Sequence, residues 1–183
     1  MRESEQQQHN ERDGAATINR ANPAHSPRDR LILFLLFLTS DSCLEILKQH
    51  IPAERISFEM CRLWFDEIYV PGKRYMDGLK GDQNEEEVAA FSELFTDEEL
   101  ATLERFHAFL DLRLDMVSER VLGSRSFPAG DMWQNIVRDA RYLVEDLEPD
   151  AERRRHLVDW LADLLARGQD TPLITNGRLH LGP

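Results

Sequence analysis

Hydrophobic side chains along this chain recur mostly at intervals of three and four, the period of helices with one buried face. The clearest case follows Thr96-Asp97-Glu98-Glu99, a capping box in which the Thr hydroxyl and the Glu carboxylate satisfy each other's backbone donors. Behind it stand Leu100, Leu103, His107, Leu110, Leu114, Val117 and Val121, with Phe106 and Phe109 widening the stripe. This predicts a long helix to about residue 120. A loop over 123–130 separates it from a helix capped by Asp131 that carries Trp133, Ile136, Ala140, Leu143 and Leu147. Pro149 ends that helix, and Asp150 opens another with Leu157, Trp160, Leu161, Leu164 and Leu165, closed by Gly168.

Residues 31–38 break the amphipathic pattern because they are apolar on every face. A helix of that kind belongs at the centre of a domain, with a buried strand as the competing reading. Ser26-Pro27, a cap residue followed by proline at the first helical position, favours the helix. Ser40, Asp41 and Ser42 cap a second helix bearing Cys43, Leu44, Ile46, Leu47 and Ile51, and Ser57 is placed to start a third that ends by Val70, before Pro71. The stretch PGKRYMDGLKG, residues 71–81, reads as irregular, and residues 82–94 as an amphipathic helix with Glu85, Glu86 and Glu87 in its first turn, where the helix dipole favours acids.

These elements predict an all-α fold: one helical-bundle domain of about six to eight helices over residues 27–166. Residues 1–26 hold almost no large apolar side chain and are expected to be a disordered tail. Residues 167–183 contain Leu173, Ile174, Leu179 and Leu181 without helical period and are expected to dock on the surface or fray.

Composition narrows the setting. The 183 residues hold Lys+Arg 22 against Asp+Glu 34, a net charge of -12 that falls wholly between residues 27 and 166. Such an acidic chain repels polyanions at long range, which disfavours nucleic acid as a partner. The apolar run at 31–38 is far short of the ~20 residues that a membrane span needs and lies too far into the chain for a signal peptide, so no membrane is expected and the cytoplasm is the default. Cys43 and Cys61 show no metal-ligand spacing and read as reduced core residues.

Chemistry is sparse. No nucleophile elbow, phosphate loop or dinucleotide fingerprint is present, and no cofactor is expected. Glu104, His107 and Asp111 fall one turn apart on the long helix, a spacing that suits three ligands to one metal ion with an open position for water. Against that, His107 lies in the core stripe, where a histidine bonded to a neighbour is the commoner outcome. Trp64, Tyr69, Lys73, Arg74, Tyr75 and Lys80 combine aromatic rings and cations within an acidic protein, the character of a recognition loop for a carboxylate or phosphate. The competing reading makes Trp64 and Tyr75 core anchors. A helix-turn-helix forced onto residues 41–70 would have a recognition helix containing Glu59, Asp66 and Glu67 and only Arg62 as a cation, poor chemistry for phosphate.

The expectation is therefore a protein-binding or regulatory module whose partner and oligomeric state the residues leave open. A metal-dependent enzyme using Glu104, His107 and Asp111 is the alternative.

Overall fold

The computed structural model describes residues 26–72, 84–115, 130–167, 174–175 and 178–181. Residues 1–25 of the tail expected at 1–26, residues 73–83, and residues 116–129, with the expected end of the long helix and most of the loop before residue 130, lie outside the described residues.

The apolar run forms the centre of the molecule. Helix α1 (Pro27–Thr39) starts where the Oγ of Ser26 accepts the Asp29 N–H at 3.0 Å, and all eight residues from 31 to 38 are buried. Each such side chain contributes about 1.5–3 kcal/mol by leaving water. A helix with no polar face needs neighbours on every side, and α1 has them. It packs against α6 (Asp131–Leu147), α7 (Ala151–Ala166) and a π-helical turn over Leu63–Ile68.

Helix α2 (Asp41–Leu47), capped by Ser40, lies on α7. The third helix does not begin at Ser57. Helix α3 (Ala53–Arg62) starts directly after Pro52, which occupies the cap position without a side-chain bond and accepts the Arg55 N–H at its carbonyl. Ser57 is buried within that helix, its hydroxyl without a partner among the described residues. The backbone then widens into the π turn and ends at Tyr69, which turns extended before a 3-10 turn at Val70–Gly72. The expected stop before Pro71 is met.

Helix α4 (Glu85–Ser92) is capped by Asn84 and keeps its three acids in the first turn. Helix α5 (Asp97–Asp115) opens on the expected capping box: Thr96 N–H donates to Glu99 Oε2 at 2.8 Å, and Glu99 N–H to Thr96 Oγ1 at 3.3 Å. Helix α6 takes Gly130 rather than Asp131 as its cap, so Asp131 occupies the first turn. Asp150 caps α7 by accepting the N–H groups of Glu152 and Arg153.

The described C-terminal residues dock rather than fray. Two short antiparallel strands, β1 (Ile174–Thr175) and β2 (Arg178–Leu179), pair Thr175 with Arg178, and Leu179 and Leu181 join the core. The described residues thus make an all-α bundle with one minimal hairpin against it. Among them no helix is long and apolar enough to cross a membrane.

Candidate functional site

The structure brings together three groups of polar and aromatic residues, two of them buried. In the first, Trp64 and Tyr69 are core residues rather than a surface patch. Their rings stack at 5.1 Å, nearly coplanar, and Trp64 meets Phe106 edge-on. The Trp64 indole N–H donates to Nδ1 of His107 at 3.2 Å, while Tyr69 stacks on the imidazole at 4.6 Å and Phe65 meets it edge-on. Burial, with the charge of Glu104 added, pushes the Tyr69 phenol up to about 12. Two of the six predicted recognition residues are therefore covered by the fold. The other four, Lys73, Arg74, Tyr75 and Lys80, lie outside the described residues.

The same cluster bears on the metal reading. Glu104 is exposed, while His107 and Asp111 are partly buried. The Nδ1 of His107 is taken by Trp64, and Gly72 lies so close to the ring that a Cβ there would fall 2.4 Å from Nε2. Among the described residues no group of three or more His, Cys, Asp or Glu side chains is arranged to hold a metal ion. Both cysteines are buried and unpaired, and burial pushes the Cys61 thiol up to about 12, a poor nucleophile.

The second group is a buried ion network that periodicity alone does not announce. Arg62 is 3% exposed and Glu59 0%. The Arg62 guanidinium donates to Glu59 at 3.0 Å, to Glu67 at 2.5 Å and to the Leu179 carbonyl at 2.7 Å, while Arg55 donates to the other Glu59 oxygen at 3.1 Å. Burial works against the Arg62 charge, but Glu67 and Glu59 outweigh it and raise its pKa. One cation thus ties α3, the π turn and the C-terminal hairpin together. It is also the cation of the proposed recognition helix, and it is not free to meet a phosphate. The sequence signal was Glu59 itself, an acid within the stripe Ile56, Met60 and Leu63.

The third group lies on the surface. Helices α5 and α6 run antiparallel, since Arg28 reaches both Glu99 at the start of α5 and the Leu147 carbonyl at the end of α6. Along their seam runs a shallow cavity of about 210 Å³ lined by Thr102, Arg105, Phe106, Phe109, Asp139 and Tyr142, among others. Tyr142 is 63% exposed and Leu112, three residues beyond Phe109, is 62% exposed. Arg113 lies over the Phe109 ring at 5.0 Å. Both exposed residues sit out of phase with their helices' core stripes, a sign visible in the sequence. A larger groove of about 590 Å³ opens on the other side of α6, between α2 and α3, with Leu44, Ile56, Trp133 and Val137 among its walls.

Comparison with protein-family models finds no match, and comparisons with curated proteins and with solved structures find none either.

Proposed function

We propose that this chain is a protein-binding module that engages its partner through the α5–α6 face. The observation that carries the reading is the pair Leu112 and Tyr142, large apolar side chains left in water, Tyr142 on the wall of the groove and Leu112 three residues beyond Phe109. Residues this exposed add little to the fold, whereas tyrosine on a rigid helix is a frequent anchor in interfaces. The buried Glu59 and Arg62 are engaged with each other, and burial leaves the Cys61 thiol a poor nucleophile, which favours a binding role. The two buried, unpaired cysteines support a reducing compartment such as the cytoplasm.

A photo-crosslinking amino acid at position 142, compared with one at the exposed Arg155 on α7, tests this reading in extract of the source cells. Adducts specific to position 142 that disappear with Leu112→Asp are expected. Identical adducts from both positions, or none at 142, would sink it. A crosslinker at position 75 tests the basic aromatic segment separately.

A further inference from the structure

We infer that protonation of His107 releases Trp64, so that the chain carries an acid-sensitive lock on the π turn over Leu63–Ile68. The lock is one hydrogen bond that only one charge state of the imidazole permits. The Trp64 indole N–H donates to Nδ1 of His107 at 3.2 Å. An indole nitrogen offers no lone pair, and an imidazolium carries hydrogens on both of its nitrogens. A proton arriving at Nδ1 therefore sets N–H against N–H, and the bond breaks.

Packing decides what moves. The imidazole stacks on Tyr69 at 4.6 Å, meets Phe65 edge-on and has Gly72 against its Cε1–Nε2 edge, while its backbone belongs to the 19-residue helix α5. Trp64 is 0% exposed, so its indole N–H, once displaced, has no water to turn to and the segment that carries it must shift. That segment is the π turn, in which the Trp64 carbonyl accepts the Tyr69 N–H at 3.0 Å, five residues on. Such turns are rare and often stand at functional sites. Tyr69 and the 3-10 turn at Val70–Gly72 follow directly and are carried with it.

Other groups act on the same proton. Among the described residues, the elements packed against the ring bring Glu104 and Asp111 on its own helix, one turn to either side, and Asp66 and Glu67 on the π turn, whereas Val70–Gly72 brings no charge. Glu67 is bound by Arg62, and the Tyr69 phenol, pushed up to about 12, stays neutral. The acids and the face of Tyr69 favour the imidazolium. They do so with or without the indole, so comparing the wild type with Trp64→Phe isolates the bond. Coupling between the two events is reciprocal: the proton removes the bond, and a bond of ordinary strength weakens proton binding by about tenfold. The stability it contributes is whole above the His107 titration and is lost as the pH falls through it.

Nuclear magnetic resonance of the full chain between about pH 8 and pH 5, the range in which histidine changes charge, tests the lock. The assigned Trp64 indole N–H signal should move with the same midpoint as the His107 ring, and exchange of the Tyr69 amide should quicken below it. In Trp64→Phe the His107 midpoint should rise by about one pH unit. His107→Gln keeps an acceptor for the indole in a side chain that does not titrate, so its indole signal should stay constant, and this variant decides the matter even if Trp64→Phe fails to fold. An indole signal indifferent to the His107 titration overturns the inference. So does an equal His107 midpoint in the wild type and a folded Trp64→Phe, or an indole signal in His107→Gln that moves as it does in the wild type.

Discussion

Trp64 and His107, 43 residues apart, are joined by an indole N–H that donates to the imidazole Nδ1 at 3.2 Å. An indole nitrogen can only donate, so Nδ1 must carry a lone pair and a neutral His107 holds its proton on Nε2. The bond fixes the ring between Tyr69 and Phe65 and fastens the π turn to α5. Replacing Trp64 with Phe keeps an aromatic ring but leaves Nδ1 facing apolar neighbours. The loss should be about 1–3 kcal/mol, read from urea unfolding. An unchanged midpoint would show that the bond does not hold the turn.

Gly72 lies close against the same ring. A Cβ built at that position falls 2.3 Å from the Cε1 atom of His107 and 2.4 Å from Nε2. A flexible side chain would swing aside, but this one is held at Nδ1 and stacked on Tyr69. Gly72→Ala should therefore destabilise by about 1–3 kcal/mol. In His107→Ala, where the obstacle is gone, adding Gly72→Ala should cost much less. The thermodynamic cycle of the two single variants and the double measures this coupling directly.

Arg62 makes a different kind of prediction, because its removal strands a charge. Arg62→Met should cost about 3–5 kcal/mol, the usual penalty for breaking a buried ion pair from one side, eased by the Arg55 contact to Glu59. Adding Glu59→Gln should return part of the loss, since an amide is less costly to bury than an uncompensated carboxylate. Deleting the chain from residue 174 removes the Leu179 carbonyl and uncovers the site of Leu179 and Leu181. It should lower the melting temperature without changing the helical signal of the bundle. Stability equal to the full chain would mean that the hairpin is not held by this network.

Residues differ in how much of this was legible beforehand. The run at 31–38 announces a central helix because only complete burial accommodates an apolar residue on every face. The Thr96 box and the Asp150 cap are local chemistry and form where the residues stand. By contrast, the start of α3 is set by the placement of Ile51 and Ile56 in the core, not by the nearest serine. The π turn comes from tertiary packing of Trp64 and Phe65, which no spacing encodes. The hairpin had a signal that an aperiodic reading passes over: Asn176-Gly177, between the paired residues Thr175 and Arg178, is the commonest two-residue hairpin dipeptide. Reading aromatic and basic residues together as a recognition patch failed at Trp64 and Tyr69 for a physical reason. Large aromatic rings lose more by staying in water than their polar edges gain there.

Leu112 and Tyr142 supply the contrast with all of these core residues. At 62% and 63% exposure, substitution of either by Ser should shift stability by no more than about 0.5 kcal/mol. A larger loss in thermal or urea unfolding would show that they serve the fold, and the proposed interface would lose its main support.

Arg28 and Glu99 give the protein a defined response to acid. Arg28 forms a two-pronged bond to Glu99, at 2.6 and 3.0 Å, and also donates to the carbonyls of Leu94 and Leu147. The bond to Arg28, joined by those to Thr96, holds the Glu99 carboxyl below its ordinary range, against the smaller opposing effect of burial. A carboxylate whose pKa is lower folded than unfolded stabilises the fold above its unfolded value, about 4.3. That stability is lost as the pH falls through the lower folded value, because protonation must then break the pair. Arg28→Met removes the pair at neutral pH, so its stability should lie below the wild type there and converge on it as the pH drops below about 4. Carboxylates beyond the field of Arg28 cancel in the difference, whereas the attraction between Arg28 and Glu148 and Asp29 adds to it. Urea unfolding of the two proteins at a series of pH values measures that difference. A gap that stays constant into acid would assign the role of Arg28 to its two carbonyl contacts and its packing over Phe95, and not to the charge of Glu99.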